Sequence, residues 1–292
     1  MARTVFLGTS DFAAAVLDRL ADGPHRPQLV VTRPDRPAGR GRRLSSPPVA
    51  DAARALGLEL AQPEKVNERD AYAQIAAARP DVVVVCAFGA LIREPLLSDF
   101  ELLNVHPSLL PRWRGAAPIE RAIMAGDEET GVCIIRLTAG LDSGPVYARG
   151  VEPIAPDDTY GTLSARLQEL GADLLLRTLD DRPEPVEQFE QGVTYADKIA
   201  AADRTLHAAA AAAVNDRVVR ALSPHIGARV ELRDGSFLGV LRAAVRAPEE
   251  VGELRADGGR LLLGGLELLE VQPAGGRPMD AGAYLRGRRL HG

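Results

Sequence analysis

Residues 102–119 read LLNVHPSLLPRWRGAAPI and constrain the fold of this chain more than any other stretch. The first residues are apolar except for Asn104 and His106, and Pro107 cannot continue a hydrogen-bonded strand. The pattern therefore predicts a buried strand that ends near residue 106. Side chains at alternate positions of a strand share a face, so Asn104 and His106 are expected to project together from the strand end.

An amide beside an imidazole suits acyl chemistry. Asn104 can donate a hydrogen bond to a developing oxyanion, and His106 can carry a proton near neutral pH. The same pair also fits a structural strand end with a hydrogen-bonded histidine, so the two residues alone leave both interpretations open.

The longer string, Asn-x-His followed by Ser-Leu-Leu-Pro-x-x-x-Gly, resembles the signature of the folate-dependent formyltransferases. Residues 112–119 are similar to the branch of that family that acts on methionyl-tRNA. The resemblance implies transfer of the formyl group of 10-formyltetrahydrofolate to the α-amino group of initiator methionyl-tRNA, giving N-formylmethionyl-tRNA for translation initiation. The expected cofactor is this folate co-substrate, without a metal.

Three catalytic residues follow from the resemblance, namely Asn104, His106 and Asp142. Asp142 lies in a Leu-Asp-Ser-Gly turn in which Ser143 replaces the threonine usual in the family. Whether His106 or Asp142 acts as the general base stays open. The folate-binding residues that the resemblance implies are Phe88, Gly89, Ser108, Leu109, Leu110 and Pro111.

A basic segment at residues 33–43 contains five arginines, two prolines and two glycines against one acidic residue. It shows neither helical nor strand periodicity, so we expect an exposed, mobile loop. Arginines spaced by glycines can follow a phosphate backbone. The segment is similar to the family's tRNA-binding loop, and the tRNA-binding residues that the resemblance implies are Arg36, Arg40, Arg42, Arg43 and Lys198.

Strands alternate with helices over the first 180 residues, which predicts an α/β fold with a doubly wound, Rossmann-like sheet. Ligands bind such sheets at the carboxyl ends of the strands. The expected strands are 4–7, 29–31, 81–87 and 132–137, and the expected helices are 12–20, 49–57, 69–78, 95–99, 119–125 and one that ends near 179. A nicotinamide or flavin cofactor is not supported, because the first turn has one glycine where G-x-G-x-x-G is needed.

The remainder predicts a linker and a second domain. Residues 1–182 are expected to form the catalytic domain, 183–203 a linker, and 204–292 a C-terminal tRNA-binding domain. An Ala-rich helix is predicted at 206–222, and short strands at 229–232, 237–245, 252–254, 260–263 and 266–271. Short strands separated by Asp-Gly and Gly-Gly turns indicate a small OB-like β-barrel.

Charge and cysteine content exclude several classes of protein. The net charge of −5 argues against a wholly basic nucleic-acid coat, although residues 204–292 carry 13 arginines against 10 acidic residues. Cys86 and Cys133 lie in apolar runs and are expected to be buried free thiols. No apolar run of about 18 residues and no signal-type start is found, so we expect a cytoplasmic protein that does not contact membranes. The expected oligomeric state is a monomer.

Two alternatives remain. The first is a formyltransferase that acts on glycinamide ribonucleotide or a nucleotide amino sugar, which Pro107 favours because His-Pro-Ser-Leu-Leu-Pro is typical of the glycinamide enzyme. The second is a non-catalytic RNA-binding protein on the same scaffold, which the intact Asn104, His106 and Asp142 set argues against. The basic segment, residues 112–119 and the predicted C-terminal domain favour the tRNA substrate.

Overall fold

A computed structural model describes residues 1–38 and 43–287 of the chain. The chain divides into two compact units, each assembled from separate stretches. The first comprises Met1–Gly115, Glu129–Pro153 and Ser164–Tyr195, and the second comprises Ala116–Glu128, Ile154–Leu163 and Ala196–Gly292. The domain boundaries expected from the sequence, with 1–182 as catalytic domain, stay a prediction.

The strands of the described residues are β1 (Thr4–Gly8), β2 (Pro27–Val31), β3 (Arg36–Ala38), β4 (Arg43–Ser45), β5 (Leu60–Ala61), β6 (Val82–Cys86), β7 (Leu102–His106), β8 (Arg114–Gly115), β9 (Glu129–Arg136), β10 (Val146–Pro153), β11 (Tyr195–Ala196), β12 (Ala228–Glu231), β13 (Phe237–Val245), β14 (Leu254–Asp257), β15 (Arg260–Leu263), β16 (Leu266–Gln272) and β17 (Met279–Asp280). The helices are α1 (Asp11–Asp22), α2 (Pro48–Ala55), α3 (Arg69–Ala77), α4 (Leu96–Asp99), α5 (Pro118–Ala125), α6 (Tyr160–Asp181), α7 (Ala212–Leu222) and α8 (Ala281–Gly287).

The first unit is built on a seven-stranded sheet in the order β10-β9-β7-β6-β1-β2-β5. The five strands β7, β6, β1, β2 and β5 run parallel to one another. Strand β9 pairs antiparallel with both β7 and β10. The parallel part is the Rossmann-like arrangement that the alternating strands and helices predict, so the predicted α/β fold is confirmed.

Burial explains why the strands form where they do. Every residue of β6 and β7 is buried, as a strand covered on both faces requires. Helix α1 begins where expected, because the hydroxyl of Ser10 accepts a hydrogen bond from the main-chain N–H of Ala13. The carboxyl end of β7 carries Asn104 and His106, so the sheet sets their position.

The edge strand β10 is absent from the sequence-based prediction. All of its residues are half-buried or exposed and they include Arg149 and Glu152, so they lack the apolar pattern of the inner strands. The strand forms because it pairs with β9, with Ala148 opposite Ile134 and Pro153 opposite Glu129.

The expectation that residues 33–43 contain no strand is wrong for β3 (Arg36–Ala38) and for Arg43, the first residue of β4. Strand β3 pairs antiparallel with β4, placing Arg36 opposite Ser45. Asp35 anchors the base of this hairpin, because it accepts hydrogen bonds from Gln62 at 2.7 Å and from Ser46 at 3.1 Å. Residues 39–42, which include Arg40 and Arg42, lie outside the described residues.

The second unit contains an antiparallel half-barrel sheet in the order β12-β13-β16-β15-β14, with β17 also paired to β16. Its core includes Leu222, Val240 and Leu268. The predicted OB-like class agrees with this half-barrel, but β17 is absent from the prediction. Among the described residues, no helix combines the length and apolar character that a membrane span needs.

The predicted helix at 206–222 is wrong in its first turn and a half. Helix α7 begins only at Ala212, because the main-chain N–H of Leu206 donates to the carbonyl of Arg229 at 2.8 Å instead of entering a helix. The buried side chain of Asn215 then bonds both the N–H and the carbonyl of His207, at 3.0 and 2.9 Å. These tertiary bonds override the helix propensity of the alanines.

Candidate active site

Strand β7 presents Asn104 and His106 on one face, two residues apart, as its pleat requires. Asn104 lies opposite Val85 of β6 and Ile135 of β9, and His106 lies opposite Cys133 of β9. Neighbouring strands on both sides fix the backbone of Asn104, and β9 fixes that of His106. Both residues are largely withdrawn from solvent, at 9% and 3% exposure.

The loop between β9 and β10 brings Asp142 to the same place. Oδ1 of Asp142 lies 3.3 Å from the amide Nδ2 of Asn104, and Oδ2 lies 3.6 Å from Nδ1 of His106. The main-chain N–H of Gly115 donates a further hydrogen bond to Oδ2 at 2.9 Å. The three side chains that the sequence singled out are therefore within reach of one another, and these contacts fix the direction of the carboxylate.

The second ring nitrogen of His106 determines its tautomer. Nε2 lies 2.9 Å from the main-chain carbonyl oxygen of Trp113, which can only accept a hydrogen bond. Nε2 therefore carries a proton, and Nδ1 is the ring nitrogen that faces the carboxylate of Asp142.

The loop after β7 is held from a distant part of the chain. The main-chain N–H of Trp113 donates to the hydroxyl of Thr194 at 2.9 Å, and the N–H of Arg114 donates to the carbonyl of Thr194 at the same distance. Since the carbonyl of Trp113 orients His106, Thr194 supports the imidazole indirectly. Nothing in the spacing of the sequence signals this contact.

Gln188 also lies in the site and was missed by sequence reasoning, which placed it in a linker. Its amide Nε2 donates to the main-chain carbonyls of Asp142 and Gly144, at 2.8 and 2.7 Å. Its Oε1 accepts from Nε and Nη2 of Arg114, at 3.1 and 2.8 Å. A polar residue in a Pro-rich charged stretch carries no signal that distinguishes it from its neighbours.

The residues predicted to bind folate fall into two groups. Ser108 and Leu110 are fully buried, with the hydroxyl of Ser108 donating to the carbonyl of Arg112 at 2.7 Å. Leu109 and Pro111 are half-buried. At the end of β6, the side chain of Phe88 is buried, whereas Gly89 is exposed and has a φ of +73°. Binding of folate by these residues stays a prediction.

The residues predicted to bind tRNA are only partly described. Arg36 is exposed and forms an ion pair with Glu64. The backbone of Arg43 belongs to β4, and Arg40 and Arg42 lie outside the described residues. Lys198 is exposed in the second unit.

The two cysteines are buried and free, as predicted. Burial raises the pKa of both thiols, that of Cys86 by a large margin, so neither is suited to act as a nucleophile. In the part of the chain that the structure describes, no group of three or more His, Cys, Asp or Glu side chains could hold a metal ion.

Comparison with known proteins places this geometry in a family. Residues 2–179 match the family described as formyl transferase. The methionyl-tRNA formyltransferase of Halorhodospira halophila (strain DSM 244 / SL1) is 46% identical over 304 aligned positions, which cover 99% of this chain and 97% of that protein.

Two solved structures show the same fold at low sequence identity. Methionyl-tRNA formyltransferase from Clostridium thermocellum matches with a TM-score of 0.63 and 13% identity, over 92% of this chain and 99% of that one. HypX from Aquifex aeolicus in complex with tetrahydrofolic acid matches with a TM-score of 0.67 and 16% identity. That match covers 97% of this chain and 47% of HypX, so this chain spans about half of that protein. On the full-length sequence match, the chain belongs to the methionyl-tRNA formyltransferase family.

Proposed function

We propose that this protein transfers the formyl group of 10-formyltetrahydrofolate to the α-amino group of initiator methionyl-tRNA. The observation that carries the proposal is the meeting of Asn104, His106 and Asp142 within 3.6 Å at the end of β7. The full-length similarity to methionyl-tRNA formyltransferase supports the choice of substrates. We assign the reaction to the cytoplasm and the enzyme to a monomeric state.

Asn104 donates a hydrogen bond to the oxyanion that forms when an amine attacks the formyl carbon. One hydrogen of its Nδ2 faces Asp142 at 3.3 Å, which leaves the second hydrogen for the formyl oxygen. Loss of one such donor costs about 3 kcal/mol of transition-state stabilisation. The low exposure of Asn104 strengthens this bond, because water competes little for the same donor.

His106 and Asp142 take the proton that the amine loses. Because Nε2 is committed to the carbonyl of Trp113, the proton enters at Nδ1, 3.6 Å from Oδ2 of Asp142. The carboxylate of Asp142 stabilises the protonated ring. The ring then gives this proton to N10 of the folate, so that the bond between N10 and the formyl carbon breaks and tetrahydrofolate leaves as the tetrahedral intermediate collapses. General base catalysis of this kind contributes roughly 10²- to 10⁴-fold.

The carboxyl end of β6 provides room for the folate co-substrate, which supplies the formyl group. Strand β6 pairs directly with β7, so its end adjoins Asn104 and His106. Ala87, Gly89 and Ala90 are exposed there, and a Cβ atom on Gly89 would approach only Arg33, at 3.9 Å. Small residues with open space at the end of a parallel strand fit a flat ring, as ligands in such sheets bind at this edge.

The buried residues after β7 support the shape of the site. Arg149 donates to the carbonyl of Leu110 at 2.7 Å, and Leu110 packs with Cys133 and Ile135. We therefore assign Ser108 and Leu110 to holding the loop, and Leu109 and Pro111 to the side that faces folate.

An acceptor panel tests the proposed function. The purified protein is assayed with formyl-tetrahydrofolate and charged initiator tRNA, charged elongator tRNA, glycinamide ribonucleotide or a nucleotide amino sugar. We expect efficient formylation of the charged initiator tRNA alone. Preferred formylation of either small amine would reject the proposal, and failure of all four acceptors would favour the non-catalytic alternative.

Variants separate chemistry from tRNA binding in the same assay. Asn104→Ala and His106→Ala should abolish turnover and leave tRNA binding nearly intact. Arg40→Ala should raise the KM for tRNA with little effect on the KM for folate. An Arg40→Ala variant that uses tRNA as well as the wild type does would remove Arg40 from the tRNA site.

A further inference from the structure

Gln188 turns inward from a stretch of chain that is otherwise exposed. Its neighbours Glu187 and Phe189 are exposed, the latter at 78%, whereas Gln188 itself is half-buried. Both hydrogens of its amide are used, one on the carbonyl of Asp142 and one on the carbonyl of Gly144. The amide therefore spans the turn that carries the carboxylate.

The other end of the Gln188 amide is fixed by a buried cation. Arg114 is 5% exposed, and its Nε and Nη2 converge on Oε1 of Gln188. Gln188 thus links the backbone of the Asp142 turn to Arg114. Arg114 is next to Gly115, whose main-chain N–H holds the carboxylate of Asp142.

The backbone on either side of Gln188 is also anchored. Val186 exchanges two main-chain hydrogen bonds with Val146, the first residue of β10, at 2.7 and 2.8 Å. This bridge sets the segment against the start of β10, directly after the Asp142 turn. These two main-chain bonds therefore fix the position of the backbone that carries Gln188.

Asp142 needs such support because its backbone is unfavourable. Its φ is +44°, in the left-handed region that residues with a side chain seldom adopt. Conformations of this kind persist only when the surrounding structure fixes them. The two bonds from Gln188 are made to the carbonyls of Asp142 itself and of Gly144, on the C-terminal side of the strained residue.

We propose that Gln188 is a positioning residue for formyl transfer, whose two donated hydrogen bonds hold the Asp142 turn so that the carboxylate faces Asn104 and His106. Arg114 orients the amide so that Nε2, and not Oε1, points at the two carbonyls. The inference rests on the proposed function for its link to catalysis, but the positioning itself can be observed without turnover.

Two substitutions separate the two ends of the amide. Gln188→Glu keeps an acceptor for Arg114, now with a negative charge, and removes the donor to both carbonyls. Gln188→Met keeps the approximate volume and removes both interactions. Gln191→Glu is the matched control, because Gln191 lies three residues away on the same segment and is exposed.

The readouts are kcat, both KM values, the thermal midpoint and the pH dependence of the His106 ring signals by NMR. For Gln188→Glu we expect a fall in kcat of about 10- to 100-fold, the scale of a displacement near 1 Å in a catalytic group. Both KM values should stay within about threefold, and the thermal midpoint should fall less than it does in Gln188→Met because the bond to Arg114 is kept. The pH dependence of the His106 signals should change, whereas Gln191→Glu should match the wild type in every readout.

Gln188→Met should lose kcat to a similar extent and also lose stability, because it leaves Arg114 buried without its acceptor. A Gln188→Glu variant with wild-type kcat and unchanged His106 signals would overturn the proposal. Equal losses in Gln188→Glu and Gln191→Glu would overturn it as well. If the wild type itself did not formylate methionyl-tRNA, the proposed function would fail, yet a change in the His106 signals confined to Gln188 variants would still support the positioning role.

Discussion

The carbonyl oxygen of Trp113 lies 2.9 Å from Nε2 of His106 and is the feature that assigns the two ring nitrogens different tasks. A carbonyl cannot donate, so this contact places the proton on Nε2 and leaves Nδ1 available beside Asp142. The loop after β7 therefore does more than connect two elements. The main-chain carbonyl of Trp113 sets the protonation of Nε2 in His106, seven residues earlier in the chain.

We therefore expect His106→Gln to separate orientation from proton transfer. The glutamine amide can still donate to the carbonyl of Trp113, but it cannot accept a proton at the position of Nδ1. The value of kcat should fall by roughly 10²- to 10⁴-fold, with the thermal midpoint close to the wild type. His207→Gln, at an exposed histidine of the second unit, is the control for the substitution itself. A His106→Gln enzyme within tenfold of wild-type kcat would instead assign the base to Asp142.

Only part of this site could be predicted from the sequence. The placing of Asn104 and His106 on one face follows from strand periodicity, and the buried strand itself follows from the apolar pattern around them. The proximity of Asp142 came from family resemblance, because no local pattern ties residue 142 to residue 104. The carbonyl of Trp113 is a main-chain group, and the side-chain amide of Gln188 bonds main-chain carbonyls, which every residue possesses, so residue types cannot reveal these contacts.

The fold shows the same division. The apolar strands β1 and β6 were predicted to within two residues at each end, because continuous burial leaves a clear composition. Helix α7 and strand β10 were misjudged because tertiary partners decided them. Asn215 holds the chain before α7 in a turn that begins at His207, and pairing with β9 creates β10 from residues without an apolar pattern.

Gly144 is expected to be intolerant of any side chain. A Cβ atom there would lie 1.9 Å from the carbonyl oxygen of Arg136, and backbone atoms cannot yield as the end of a side chain can. Gly144→Ala should therefore shift the Asp142 turn, destabilise the protein by about 1–3 kcal/mol and lower kcat by about 100-fold. Urea unfolding and steady-state kinetics measure the two effects.

Gly140→Ala provides the comparison for Gly144→Ala. The Cβ of this variant would meet the hydroxyl of Ser143 at 2.3 Å, and a hydroxyl can rotate to another staggered position. We expect a smaller loss of both stability and kcat. Equal losses at the two glycines would mean that the main-chain contact with Arg136 is not the limiting one.

Glu64→Gln should improve binding of tRNA if Arg36 belongs to the tRNA site. Arg36 forms an ion pair with Glu64, and both side chains are more than 60% exposed, so breaking the pair costs little stability. The released guanidinium can then contact a phosphate. We expect the Kd for tRNA to fall about two- to fourfold at low salt, and the slope of log K against log salt to steepen by less than about one.

The control for Glu64→Gln is Glu68→Gln, which makes the same change in net charge and breaks the exposed pair with Lys65. An equal gain in both variants would indicate general electrostatic attraction. The double variant Arg36→Ala with Glu64→Gln should lose the gain. If it bound tRNA as tightly as Glu64→Gln alone, the contribution of Arg36 would be rejected.

The pair formed by Arg121 and Asp203 should make the second unit sensitive to acid. Nη1 and Nη2 of Arg121 lie 3.2 and 2.9 Å from the two carboxylate oxygens, and the N–H of Ala200 donates to the same carboxylate at 2.8 Å. The hydrogen bonds from Arg121, followed by that from Ala200, hold the pKa of Asp203 below its usual value. A lowered folded-state pKa stabilises the protein above the unfolded-state pKa of about 3.9.

It follows that Asp203→Asn should destabilise the protein by about 1 kcal/mol at pH 7, the net value of a partly exposed, hydrogen-bonded charge. The contribution is complete above about pH 5 and is lost as the pH falls through the folded-state pKa, which lies below the unfolded-state pKa. Urea midpoints of the variant and the wild type should therefore converge as the pH falls below about 5. Asp197→Asn is the control, because Arg121 contacts only the main-chain carbonyl of Asp197. If the difference in urea midpoint between Asp203→Asn and the wild type stayed constant with pH, the charge of the carboxylate would not be the feature that holds residues 200–203 to α5.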